Sequence, residues 1–245
     1  MILPNYGAAA SVDGIRRLAE TAEELGFHSV WTTEHIIVGP EGVDPYGRVY
    51  DPLVTLAWIT GWTERIGLGT SIVLVPLHHP IHLAKEVATL QELSGGRFTL
   101  GVGMGWHEDE YDFMGVPFEG RGRRGDEAIR VMRALWSGER DFHGELWSFH
   151  NATFAPMPSR QPEIWVGGGS TRAIRRAREL GDAWHPSRGS DADDVRRVKQ
   201  EHPDLRVIPR TSPDRVDGML EAGAEGAVVS FPDEPAMREF AGRHL

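Results

Sequence analysis

"IGLGTSIVLVPLHHPIHLAKEVATLQELSGGRFTLGVG", residues 66–103, holds the pattern that decides the fold. Its first part, "IGLGTSIVLVP" (66–76), is a near-continuous apolar run of the kind found in strands buried on both faces. "IHLAKEVATLQELSGG" (81–96) has helical spacing and closes at Gly95, and "RFTLGVG" (97–103) is a second buried run. Strand, helix and strand in succession make a parallel unit whose sheet is covered by helices.

The alternation continues in both directions. Upstream, Val12, Ile15, Leu18, Ala19, Ala22 and Leu25 recur at three and four residues after Ser11, with Gly26 where a left-handed cap is expected. "HSVWTT" (28–33) follows as a strand, and Asp51-Pro52 opens a helix with Leu53, Leu56 and Ala57 on one side. Downstream, "RRGDEAIRVMRALWSG" (123–138) is the fourth helix, closed by Gly138. Residues 140–158 break the rhythm with aromatics about a His143-Gly144 turn, which predicts an inserted hairpin. The strands "EIWVGG" (163–168), "DAWH" (182–185), "LRVIP" (205–209) and "GAVVS" (226–230) then alternate with helices at 171–180, 193–201, 212–223 and 234–243. With residues 1–6 as an opening strand there are eight units, which predicts one α/β domain over 1–245, a closed (β/α)8 TIM barrel. A doubly wound open sheet is the alternative.

Charge and composition exclude several roles. Against 26 Lys and Arg stand 36 Asp and Glu, a formal charge of −10, which disfavours nucleic acid or an anionic membrane as partner. There is no cysteine, so neither a disulfide framework nor a thiolate nucleophile is available. With no secretory signal and no apolar run of roughly 18 residues, the expected location is the cytoplasm. Trp58, Trp62 and Trp136 are the residues to consider for a homodimer face, though core packing is the expectation for each.

In a barrel of this kind reactive groups sit where strands end and βα loops begin. That places Glu34-His35, His78-His79, Trp106-His107, Gly167-Gly168-Gly169 and His185 around one mouth. No His-x3-His or His-Glu-x2-His spacing lies on a predicted helix, so no metal is expected. Gly101, Gly103 and Gly105 follow an apolar run, but a dinucleotide fingerprint needs its third glycine one residue further on and a helix at once, whereas Trp106 to Tyr111 is aromatic and acidic. "GGGST" (167–171) is more informative. Its glycines let backbone approach a ligand, and Ser170-Thr171 open a helix whose unpaired N–H groups face the same point, an anion cradle; an ordinary tight turn with a Ser cap is the plainer alternative.

These motifs resemble a known family. The stretch from "LGTSIVLVP" (68–76) to the helix ending at Gly138, followed by a hairpin and "PEIWVGGGSTRAIRRARELGDAWHP" (162–186), is similar to the bacterial luciferase-like superfamily, within it to the coenzyme F420-dependent oxidoreductases. The resemblance implies a barrel that holds a flavin or 8-hydroxy-5-deazaflavin at the strand C-terminal ends. The coenzyme phosphate would lie at Gly167, Gly168, Gly169, Ser170 and Thr171, and the ring against Ser71, Ile72, Gly103, Met104 and Gly105. A non-prolyl cis peptide is implied at Ser71-Ile72, glycines at 101, 103 and 105 that thin the strand end for the ring, and a proton-transfer pair in Glu34 and His35.

Two departures stand out. The chain lacks most of a late insertion usual in the family, which leaves a pocket either open or completed by a partner subunit. Trp106-His107 also stand where some deazaflavin dehydrogenases carry an acid, which argues against a sugar-phosphate substrate. The implied activity is hydride exchange between F420 and a small organic substrate; the alternatives are an FMN-dependent monooxygenase and a non-catalytic flavin-binding homologue.

Overall fold

The computed structural model describes residues 1–187 and 189–245. Its strands are β1 (Ser29–Thr32), β2 (Gly67–Thr70), β3 (Val73–Leu74), β4 (Phe98–Gly103), β5 (Phe142–His143), β6 (Ser148–Phe149), β7 (Glu163–Gly167), β8 (Ala183–His185), β9 (Arg210–Thr211) and β10 (Val228–Val229). β1, β2, β4, β7 and β8 pair in that order, all parallel, and β3 continues the β2 edge along β4. Beyond β8 the ladder runs on through the Trp184–Val207 bridge to residues 207–211, where β9 pairs parallel with β10. The Ile2 N–H donates to the Val229 carbonyl at 2.8 Å, and Ile2 bridges to Trp31 of β1. Segments 1–3, β1, β2, β4, β7, β8, 207–211 and β10 therefore follow one another around a ring, the (β/α)8 arrangement.

The helices form where the apolar spacing predicts them. α1 (Val12–Glu24) starts at Ser11, whose side chain accepts from the Gly14 N–H, and it buries Ile15, Ala19 and Ala22. α2 (Val43–Tyr46) lies in the loop after β1, and α3 (Pro52–Thr60) is capped by Asp51. α4 (Pro80–Leu93) and α6 (Arg121–Trp136) are laid side by side, with Trp136 Nε1 donating to the Ala84 carbonyl at 3.0 Å. α5 (Glu108–Phe113) precedes α6; α7 (Thr171–Leu180), α8 (Ala192–Glu201), α9 (Val216–Glu221) and α10 (Glu234–His244) complete the outer layer. The main core lies between this layer and the ring, where Leu68, Leu100, Ile164 and Val166 meet Leu83, Val87 and Ile129. Each such side chain contributes about 1.5–3 kcal/mol on burial. Inside the ring, Trp31 and Trp165 stack at 4.6 Å between centroids with His185 about 6 Å from each, so the barrel is plugged by aromatic rings.

Four details differ from the sequence-based expectation. Residues 106–111 contain the start of a helix, α5, too short to show an apolar period and led by three acids that suit a helix N-terminus. The seventh strand runs past 209 to Arg210-Thr211. The hairpin after α6 is present, but β5 and β6 have only two residues each. Trp136 is buried and Trp62 half-buried, whereas Trp58 lies at the surface, edge-to-face with Trp62 at 5.2 Å. Among the described residues no helix is long and apolar enough to cross a membrane.

Candidate active site

At the C-terminal end of the ring the loops after β1, β2, β4, β7 and β8 enclose a cavity of about 520 Å3. Glu34, His35, Ser71, Ile72, Gly103, Met104, Gly105, Gly167, Gly168 and Ser170 all line it. Of the sequence-derived positions, Gly169 lies outside this wall with Ser190 beside it, and Thr171 faces a second cavity next door.

The floor is built around the bend between β2 and β3. The Ser71-Ile72 peptide is cis. Ile72 then turns its side chain across β4 and β7, and the glycines there make room for it: a Cβ at 103 would overlap Ile72 Cδ1, and one at 167 would lie 3.0 Å from Ile72 Cγ2. A Cβ at 101 would overlap the Thr70 carbonyl oxygen. The missing side chains of Gly101 and Gly103 are thus taken up by the protein's own bend.

Polar contacts hold this bend from below. The Ser71 carbonyl accepts from Arg210 Nη1 at 2.9 Å and from the Thr33 hydroxyl at 3.2 Å, and Arg210 Nη2 donates to the Tyr6 hydroxyl at 2.8 Å. Ser71 Oγ lies 2.8 Å from His185 Nε2, and His185 Nδ1 lies 2.5 Å from the Ile208 carbonyl. A carbonyl can only accept, so Nδ1 carries the proton and Nε2 accepts from the Ser71 hydroxyl. Complete burial pushes the His185 pKa down to about 4, and the nearby Arg210 adds to this against the opposing effect of the Ile208 bond. The ring is therefore neutral at ordinary pH.

On the β1 side two carboxylates are fully engaged. Glu34 accepts from the Leu74 N–H at 2.6 Å and meets His78 Nε2 at 3.0 Å, tying the loop after β1 to β3. Burial opposes charge on His78, but the hydrogen bond to Glu34 and the charges of Glu34, Glu86 and Asp51 outweigh it and raise its pKa above the ordinary imidazole value. Glu110 of α5, 1% exposed, accepts from the Ile36 N–H at 2.6 Å and from His35 Nδ1 at 2.9 Å. That bond leaves Nε2 as the unspent nitrogen of His35. The imidazole packs at a tilt against Tyr46 at 4.1 Å and meets Trp106 edge-on at 6.0 Å. His107 turns away, buried, and accepts from the Gly39 N–H at 2.9 Å.

The second cavity, of about 930 Å3, adjoins the first and shares Met104, Arg121, Ser170 and Arg176 with it. Arg121, Arg123, Arg172, Arg175 and Arg176 line it against one acid, Asp126. Arg176 is buried in an ion pair with Asp126, and Arg121 lies over the Phe118 ring, whereas Arg172 and Arg175 are exposed. Ser170 Oγ accepts from the Ala173 N–H and caps α7. A partly aromatic chamber thus adjoins a strongly cationic annex, with Arg121 and Arg176 lining both.

Four residues of this site, Glu110, Arg210, Tyr6 and Tyr46, escaped the sequence argument. Only Glu110 had a local signal, the acidic run after the β4 glycines, which masks which of its carboxylates turns inward.

A family model described as luciferase-like monooxygenase matches residues 3–202. This chain belongs to the luciferase-like monooxygenase family. Among family relatives, the oxygenase component of a flavin-dependent trigonelline monooxygenase from Acinetobacter baylyi is 34% identical over 63% of this chain and 42% of its own length. An F420-dependent glucose-6-phosphate dehydrogenase from Kineococcus radiotolerans is 34% identical over 94% of this chain and 68% of its own. The F420-dependent tetrahydromethanopterin reductase from Methanopyrus kandleri has the same fold end to end, with a TM-score of 0.78, 18% identity, and coverage of 100% of this chain and 96% of that one. The chain therefore spans less than half of the trigonelline enzyme and about two thirds of the dehydrogenase. Both deazaflavin and flavin enzymes occur among the family members similar to it.

Proposed function

We propose that this protein is an oxidoreductase in which coenzyme F420 exchanges hydride with a small organic substrate at the mouth of the barrel. The observation that carries the choice of coenzyme is the arginine-lined annex. An FMN molecule ends at one phosphate, whereas the deazaflavin continues through a phosphodiester to a carboxylate-bearing tail, and a cavity with five arginines and one acid matches several negative charges in series. The 34% identity to an F420-dependent dehydrogenase over nearly the whole chain supports the same choice. The identity to the trigonelline enzyme keeps an FMN monooxygenase as the second reading.

The residues fit such a coenzyme. Ile72, Met104 and Gly105 offer apolar and backbone surface to a ring, and Gly168 with Ser170 stands at the passage to the annex. When bound, the deazaflavin supplies a carbon centre that takes or gives a hydride. The protein's part is positioning and proton handling. His35 gives or takes the substrate proton at Nε2, held in place by Glu110, so His35 is the catalytic residue and Glu110 its positioning residue. We assign Glu34 a positioning role, because both its oxygens are engaged by His78 and the Leu74 N–H.

Titration of the purified protein with F420 and with FMN at two salt concentrations tests this. F420 binds more tightly and loses affinity with salt, and the Arg172→Glu, Arg175→Glu double variant weakens it by roughly tenfold or more. Stoichiometric FMN, with no measurable F420 affinity, refutes the proposal in favour of the monooxygenase.

A further inference from the structure

We infer that the substrate taken by this site is an uncharged aromatic molecule, which stacks on Trp106 in the aromatic wall of the chamber. The inference rests on the coenzyme assignment above in taking the annex side as the coenzyme's.

Trp106 is 56% exposed although it lines the cavity directly after β4. An indole left this open at a cavity wall is a surface that an incoming ring covers with gain. It does not stand alone. His35 presents its edge or face to Trp106 and Tyr46 at 6.0 and 4.1 Å, and Tyr46 in turn stacks on Tyr6 at 5.5 Å, so one wall of the chamber is a run of aromatic rings with His35 at its centre. The wall continues outward onto exposed Ile36 and Ile37, whose N–H groups are bound by Glu110 of the helix that follows Trp106. Apolar exposure is thus concentrated where a substrate would enter beside the proton-transfer nitrogen.

Charge argues in the same direction. Among the described residues, Arg121, Arg176 and Arg210 are the arginines that line the chamber. The first two also line the annex, Arg121 with its Nε donating to the Gly105 carbonyl at 3.3 Å, and Arg210 donates to Tyr6, Thr33 and the Ser71 carbonyl. The segments 41–48 and 106–112, which contain Tyr46 and Trp106, carry Glu41, Asp44, Glu108, Asp109 and Asp112 at or near the surface against one arginine, Arg48. An anionic substrate would be repelled by these acids as it approached Trp106. An uncharged planar molecule would not.

Isothermal titration of the protein with 2-acetylnaphthalene, 2-naphthoate and glucose 6-phosphate tests the inference, the first two sharing one aromatic body and differing in charge. 2-Acetylnaphthalene should bind at least about tenfold more tightly than 2-naphthoate, and glucose 6-phosphate should show no saturable binding. Trp106→Ala should weaken 2-acetylnaphthalene roughly tenfold, with Trp106→Phe close to the parent, since stacking rather than the indole N–H carries the contact. Tighter binding of 2-naphthoate or glucose 6-phosphate overturns the inference. So does a Trp106→Ala variant that melts like the parent and binds the ketone equally well, or one whose only change is loss of a dimer. F420 titrated against the same proteins separates the two claims. Binding of the ketone through Trp106 with no F420 affinity sinks the coenzyme assignment and leaves the substrate class; F420 binding with no Trp106-dependent ketone binding sinks the substrate class alone.

Discussion

Replacing Glu110 by Gln asks whether His35 works through the tautomer that its carboxylate partner imposes. Glu110 is almost wholly buried and serves the His35 ring, the Ile36 N–H and, at 3.4 Å, the Ile37 N–H. Gln keeps the volume and one carbonyl oxygen, which can still accept from Ile36. An NH2 group then faces His35 Nδ1, and two donors cannot meet there, so the ring must move its proton to Nε2. Hydrogen bonds to a charged group contribute about 1.5–3 kcal/mol and neutral ones about 0.5–1.5, so the exchange should cost roughly 1–2 kcal/mol. For a chain of this size that lowers Tm by about 2–8 °C. The catalytic effect is larger. An Nε2 that carries its proton in the resting state has lost the lone pair a general base needs, and kcat should fall about 10²-fold or more in the direction that removes a substrate proton, with F420 affinity unchanged. Melting curves, steady-state kinetics and 15N resonances of the His35 imidazole measure the three effects. If the variant folds, keeps the Nδ1-protonated ring and turns over like the parent, Glu110 does not orient the base and the proton route through His35 is wrong.

Two further perturbations have defined outcomes. Gly101→Ala should destabilise more severely than Gly103→Ala, because its Cβ would strike the Thr70 backbone oxygen whereas the other meets the mobile end of Ile72. Gly103→Ala should cost about 1–3 kcal/mol and also weaken coenzyme binding as Ile72 is pushed into the chamber; equal melting temperatures for the two variants would contradict this. The folded His185 has its pKa lowered to about 4, so between that value and its ordinary value of 6.5 the unfolded chain binds the extra proton. Its contribution is present above pH 6.5 and fades as pH falls towards 4, on the order of 3 kcal/mol, and His185→Gln should lessen the acid-induced loss by that amount. His78, with a raised pKa, acts in the opposite sense, contributing below its unfolded value and weakening as pH rises through the folded one. Denaturant unfolding from pH 4 to 8 measures both, and a His185→Gln variant with the parent's acid profile would refute the assignment of a neutral buried ring.

The sequence by itself determined the barrel and the address of its site. Helix and strand periods are local properties: a stripe such as Ile15, Ala19 and Ala22, or a run such as 97–103, buries the same face wherever the element is placed. Eight repeats of that pattern leave few topologies open, and the ends of the strands then fix which loops share a mouth. The resemblance to the luciferase-like family named the cavity residues, and most of them do line one chamber. What only the tertiary structure decided is who touches whom. His35 and Glu110 are 75 positions apart, Ser71 and His185 are 114, and Arg210 reaches Ser71 across 139. No local period records such pairs, because a side chain's partner depends on how the loops of neighbouring strands meet at the rim. For the same reason the glycines of β4 were legible as thin places in a strand, while the occupant of the Gly103 space, the side chain of Ile72 from the neighbouring bend, became visible only once the ring had brought the two together.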